Sequence, residues 1–180
     1  MPLAPEAEKD IVTREGRHLR LRPIGPDDDD ELIEMGRRST PEDLRLRFFS
    51  PIRPEPGPLV TMLTHFDHDH HRVAGAYDPL LPRGPQELLG GVRLIWKPDL
   101  SRGEFAIMVR SDLKRHGLGR CLIAEMLGWA VDLSLARVDG EVLPENTAML
   151  RLVRSCGGGI LPRGSDPSVT NVTFDPPKRI

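Results

Sequence analysis

Lys114, Arg115, His116 and Arg120 concentrate positive charge around two glycines, Gly117 and Gly119, in the segment Lys114-Arg-His-Gly-Leu-Gly-Arg120. Two residues without Cβ let an anion approach the backbone closely. The segment follows the apolar run Phe105–Val109 and opens a long apolar-periodic stretch, so it reads as a strand, a basic turn and the first turn of a helix. Backbone N–H groups over Gly117, Leu118, Gly119 and Arg120 would then face out of a positive helix end, a ready site for a pyrophosphate. The same glycines also suit a tight turn that binds nothing.

Two better-known phosphate loops do not fit. A P-loop requires G-x-x-x-x-G-K-[ST], which is absent, and a dinucleotide fingerprint requires a third glycine where this chain has Leu122. Other polar clusters point less far. His65, Asp67, His68, Asp69, His70 and His71 are metal-ligand types, but adjacent residues rarely converge on one ion, so a polar connection is preferred and no metal is expected. The acidic run Asp27–Glu31 follows Pro26 and reads as a solvated helix start. Cys121 and Cys156, the only cysteines, form no C-x-x-C or metal-ligand pattern and read as reduced thiols.

The 180 residues suffice for one core, and a composition 38% hydrophobic and 29% charged is that of a globular domain. A net charge of −2, with no ladder of aromatic and basic residues, gives no case for a nucleic-acid partner. No run approaches the 18 apolar residues of a membrane span, and the first ten residues lack the apolar core of a signal peptide. The expectation is a cytoplasmic chain, a monomer or homodimer.

The elements that must position the basic turn follow from periodicity. Residues 1–10 read as a frayed tail, and residues 11–180 as one domain. His18–Arg22 alternates as a strand within residues 11–23. Helices are expected after Pro26, from Pro41 to about Phe49, and over residues 59–66, with a four-proline loop over residues 51–58. Residues 72–77, 88–96 and 102–109 read as three strands, the first two joined by a Pro-rich link over residues 78–87. A helix over residues 117–135 follows, then a strand over 137–143, a helix over 145–155 stopped by Gly157-Gly-Gly159, and a last strand over 169–174. The expected class is α/β (α+β), a mixed and mostly antiparallel sheet flanked by helices.

With its elements assigned, Met108-Val-Arg-Ser-Asp-Leu-Lys-Arg-His-Gly-Leu-Gly119, followed 27 residues later by Asn146-Thr-Ala-Met149, resembles the GNAT superfamily of N-acetyltransferases. It is most similar to the acetyltransferase domain of bacterial Pat-type protein lysine acetyltransferases. Leu21-Arg-Pro-Ile24, Pro41-Glu-Asp-Leu-Arg-Leu-Arg-Phe-Phe49, Gly103-Glu-Phe-Ala106 and Arg110-Ser-Asp-Leu-Lys114 carry that similarity over residues 12–175. Lys114 stands where the family usually has Gln or Arg. The tyrosine that many members use as general acid falls at Val153.

The resemblance implies acetyl-CoA as co-substrate, its pyrophosphate on the loop 114–120 and its pantetheine arm on backbone groups of Ile107, Met108 and Val109. It implies Glu104 as general base, although a carboxylate at a strand end also suits plain solvation. Asn146 would lie near the cofactor arm, and it equally suits an N-cap for the helix that follows. The acceptor would be an amine, either a protein lysine or a small molecule, held by a groove built from residues 26–70. A domain that binds acetyl-CoA without turnover is the reading of another class.

Overall fold

The structure is a computed structural model that describes residues 7–82, 84, 88–97, 99, 101–162 and 164–177. The first six residues of the expected tail, part of the link 78–87 and the last three residues lie outside that set. An eight-stranded sheet runs in the order β1-β2-β3-β4-β5-β6-β8-β7. Its strands are β1 Lys9–Val12, β2 His18–Pro23, β3 His71–Tyr77, β4 Leu88–Lys97, β5 Arg102–Val109, β6 Arg137–Val142, β7 Gly159–Ile160 and β8 Thr170–Phe174. All neighbours are antiparallel except β5 and β6.

Five α-helices flank it: α1 Asp29–Arg37, α2 Pro41–Phe48, α3 Pro58–Thr64, α4 Leu118–Asp132 and α5 Thr147–Ser155. Thr40 caps α2 by accepting a hydrogen bond from the Asp43 N–H at 3.1 Å, with Pro41 at the first helical position. One expectation is corrected: Lys9 and Asp10, read as tail, are the start of an edge strand paired with Leu21 and Arg20. The expected glycine stop ends α5, with Gly157 at φ +86°, and Gly159 begins the short strand β7.

The helix α4 covers one face of β4 and β5 with Leu118, Leu122, Ile123 and Met126, which are 0–3% exposed. Burying each such side chain stabilises the fold by about 1.5–3 kcal/mol. The opposite face of β3 and β4 is closed by a smaller cluster of Ile24, Met35, Val73, Tyr77 and Leu88, to which α1 contributes Met35. A close approach explains one glycine: a Cβ at Gly90 would stand 2.8 Å from the Met108 carbonyl oxygen and 3.2 Å from Leu118.

What the sheet does for function lies between β5 and β6. Their pairing is limited to Arg102 with Arg137, Gly103 with Val138 and Glu104 with Asp139. Both strands continue past that last rung without pairing, so the sheet opens there and β5 has a free edge from Phe105 onwards. Among the described residues no helix is long and apolar enough to cross a membrane.

Candidate active site

A cleft of about 900 Å³ follows that free edge. Its floor is β5 from Glu104 to Val109; its walls are α2, the turn 113–120, the start of α5 and the end of β6. Ladder parity says which backbone groups face it. The Arg110 N–H donates to the Leu89 carbonyl at 3.0 Å, and the β4–β5 register is unbroken from there to Arg102. Alternate residues of an antiparallel strand turn both polar groups to the same neighbour. Glu104, Ala106 and Met108 therefore turn theirs to β4, while Phe105, Ile107 and Val109 turn theirs outward into the cleft.

This corrects one expectation. Of Ile107, Met108 and Val109, only Ile107 and Val109 have outward backbone groups free for a ligand. Met108 contributes its side chain, which shares a sheet face with Glu104 and lines the cleft.

The basic turn closes one end. Gly117 has φ +83°, and a Cβ there would stand 3.3 Å from the Arg14 N atom on the β1–β2 loop. The first intrahelical bond nearby runs from the Cys121 N–H to the Gly117 carbonyl at 3.3 Å. The N–H groups of Leu118, Gly119 and Arg120 thus belong to the unpaired first turn of α4. Gly119 lies on the cleft wall, and a Cβ there would stand 2.8 Å from Leu152. A bare backbone, unpaired donors and local positive charge fit a pyrophosphate.

The side chains of the turn divide into several roles. Lys114 forms an ion pair with Asp43 of α2, while Ser111 also donates to that carboxylate. Burial pushes the Asp43 carboxyl up, but the bonds from Lys114 and Ser111 outweigh it and hold the group below its ordinary range. Arg115, exposed and at φ +69°, makes no side-chain hydrogen bond or ion pair among the described residues. Arg120 donates to the Ser155 carbonyl and hydroxyl, both at 3.0 Å, and so ties α4 to the end of α5.

Two of the expected residues do not present side chains to the cleft. The His116 ring pairs through Nδ1 with Glu15 at 2.7 Å, on the β1–β2 loop. Leu118 is 3% exposed and packs in the core, so only its backbone is available. Asn146 caps α5: its Oδ1 accepts from the Met149 N–H at 3.2 Å. That bond leaves the amide Nδ2 free of the cap, and Asn146 lines the cleft, so capping and ligand contact are compatible.

Glu104 is exposed and lies where the cleft meets a second hollow of about 250 Å³ over β5, β6 and β8. Val153 is fully buried, far from any acid–base role. Neither Cys121 nor Cys156 is on the cleft wall; both are free, and burial pushes the Cys121 thiol up. In the turn after α3, His70 Nδ1 pairs with Asp67 at 2.9 Å. Among the described residues no three His, Cys, Asp or Glu side chains converge as metal ligands.

Arg47, Phe48 and Phe49, at the end of α2, line the cleft and were not singled out by the sequence reading. They fall within the segment Pro41–Phe49 that carries the family similarity and within the expected groove of residues 26–70, but the interrupted apolar period of α2 reads as core packing and marks none of them individually.

Solved structures share this fold. The GNAT domain of S. lividans PAT superposes with a TM-score of 0.82 at 25% identity, covering 93% of this chain and 96% of that one. A cAMP-binding acyltransferase from Mycobacterium smegmatis matches at TM-score 0.63 and 21% identity, over 95% of this chain but only 48% of that longer one. Spermidine N-acetyltransferase from Vibrio cholerae, solved with CoA and spermine, matches at TM-score 0.67 and 19% identity, over 88% of this chain and 95% of that one. The family described as the acetyltransferase (GNAT) domain matches residues 18–158, most of the chain. With its mostly antiparallel sheet, its parted central strands and its glycine turn at the start of α4, the chain belongs to the GNAT acetyltransferase family.

Proposed function

We propose that this chain transfers the acetyl group of acetyl-CoA to the ε-amine of a protein lysine, by direct attack in a ternary complex. The observation that carries the reading is the continuity of the cleft. One open edge of β5 joins an exposed carboxylate, Glu104, to a turn suited to a pyrophosphate. Similarity to the PAT domain at 25% identity supports the lysine acceptor.

Acetyl-CoA would supply an activated thioester, and the chain would do the rest. Five residues of extended strand separate Glu104 from Val109, about 17 Å. That spacing lets the outward backbone groups of Ile107 and Val109 hold an extended arm between the turn and the carboxylate. An outward N–H in this position donates to a carbonyl oxygen that gains negative charge during attack.

A lysine amine, with a pKa of about 10.4, is neutral in only about one molecule in 2,500 at pH 7. Glu104 accepts the proton, the nitrogen lone pair forms the new C–N bond, and the C–S bond breaks. A positioned base of this kind contributes about 10²–10⁴-fold. The departing thiolate takes its proton from water, since Val153 offers none. Direct attack is preferred to an acetyl-cysteine because neither cysteine reaches the cleft. Free thiols suit a reducing, cytoplasmic compartment.

Calorimetric titration with acetyl-CoA, with Gly117→Glu as the blocked control, tests the cofactor. Binding by the natural chain alone is expected, followed by acetylation of lysine peptides. Acetylation of polyamines but of no peptide would assign a small-molecule acceptor. Binding without any turnover would assign a regulatory domain. No binding by a folded chain would end the enzyme reading.

A further inference from the structure

Arg47 is half-buried on the cleft wall, its guanidinium 4.7 Å above the Phe48 ring. Among the described residues it makes no hydrogen bond and no ion pair. The helix α2 starts at the basic turn, where Asp43 holds Lys114, and one helical turn later carries Arg47 toward the other end of the cleft. There its charge is felt by, and repelled by, that of Arg93 on β4. Arg93 lies opposite Ala106 in the β4–β5 register, and Glu104 lies opposite Ile95. Arg93 and Glu104 are therefore diagonal neighbours on one sheet face, about 7–8 Å apart. The Arg93 Nε is buried without a hydrogen-bond partner.

Two guanidiniums thus share one nearby carboxylate. Burial pushes Arg47 down to about 10, the Arg93 charge adds to that effect, and Glu104 opposes it. Burial also lowers Arg93, again opposed by Glu104. Glu141 lines the cleft across the parted strands and forms no ion pair with Arg47, and Asp139 is held by Arg137 at 2.6 Å. Two partly buried cations beside one shared carboxylate leave a positive charge uncompensated, which is costly, so this end of the site suits a further anion. The phosphates of acetyl-CoA would lie on the turn beyond Val109, about 17 Å along the strand from Glu104. That leaves the acceptor as the substrate placed to bring an anion to this end.

We propose that the acceptor bears a carboxylate beside its reactive amine, and that Arg47 binds it. This deepens, and rests on, the acetyltransferase reading above. On a protein the carboxylate is an Asp or Glu next to the target lysine; a free amino acid offers the same group on its α-carbon. Arg47 held by the acceptor leaves Glu104 to take the proton. Acceptors surrounded by further cations meet two guanidiniums and are rejected.

The test compares kcat/KM for lysine peptides flanked by Glu, by Gly or by Arg, together with free lysine and lysinamide, using the full chain and acetyl-CoA. The Glu-flanked peptide is expected to exceed the Gly-flanked one about tenfold, the worth of one hydrogen bond to a charged group. Arg47→Glu should invert the order toward the Arg-flanked peptide, and Arg47→Lys should keep part of the original preference. Free lysine far ahead of lysinamide and of every peptide would support the same chemistry with an α-carboxylate as its source. Equal rates for all flanks, or a natural preference for Arg flanks, would overturn the proposal and leave the acetyltransferase reading intact. Acetyl-CoA binding without acetylation of any acceptor would overturn both. Should Arg47→Glu not fold, the flank ranking of the natural chain decides alone.

Discussion

Glu104 and Asp139 form the last paired rung between β5 and β6, and the sheet parts immediately beyond them. The carboxylate proposed as base therefore stands at the vertex of the opening, where an amine entering the cleft meets the strand edge. Glu104→Gln keeps the shape and removes the proton acceptor. We expect kcat to fall about 100-fold at neutral pH, with acetyl-CoA affinity unchanged. The remaining rate should climb with pH toward the free amine's pKa of about 10.4, because the acceptor must then lose its proton to water. A pH–rate profile on the two proteins checks this; full turnover by the variant at pH 7 would remove Glu104 from the mechanism.

Gly117 carries two demands at once, a φ of +83° and a backbone neighbour 3.3 Å from any added Cβ. Gly117→Ala is expected to destabilise the fold by about 1 kcal/mol, a fall in Tm of roughly 2–4 °C. It should also weaken acetyl-CoA binding, since the start of α4 must shift. Thermal melts and calorimetry read the two effects separately. An unchanged affinity beside a lowered Tm would show that the turn is structural only.

Asp43 joins α2 to the basic turn through Lys114 and Ser111, and its carboxyl lies below the ordinary range. A lowered folded pKa adds stability that is complete above the unfolded value of about 3.9 and is lost as pH falls through the folded value. Asp43→Asn should therefore lower the Tm at pH 7, by about 1 kcal/mol or less given the exposure of Lys114. The difference should shrink as pH falls below the unfolded value and the folded carboxyl takes up its proton. Melting both proteins across pH 2–7 checks the sign; a gap that widens in acid would refute it.

Much of this site is legible in residue order because its parts are local. The basic turn, its glycines and the start of α4 lie within seven consecutive residues, and local backbone geometry decides their shape. The buried leucines of β2 alternate with arginines, which makes that strand visible, whereas Lys9–Val12 has no such alternation, and its first two residues read as tail. The open backbone of Ile107 and Val109 depends on which side of β5 meets β4, a parity no composition carries. Arg47 and Phe49 reach β5 across more than fifty residues of chain, and their role appears only once α2 is docked. Val153 stands where the family resemblance implies a tyrosine, and its complete burial among Gly158 and Phe174 shows that α5 turns this position inward.

Phe49 ends α2 in the left-handed conformation, with φ 62°, and its N–H donates to the Arg45 carbonyl at 2.7 Å. Glycine is the usual residue at such a helix end, and a side chain there costs about 1–2 kcal/mol. Phe49 is 41% exposed, so lost burial offsets only part of the relieved strain on replacement. The ring lines the cleft beside Arg47, which gives the strain a use. Phe49→Gly is expected to leave the Tm equal or a few degrees higher. The KM for the amine acceptor should rise several-fold, with the acetyl-CoA Kd unchanged, because the turn that would hold the pyrophosphate is built from other residues. Thermal melts with acceptor and acetyl-CoA titrations separate these outcomes. A lower Tm with an unchanged acceptor KM would make Phe49 a packing residue, and the acceptor wall would then begin at Arg47.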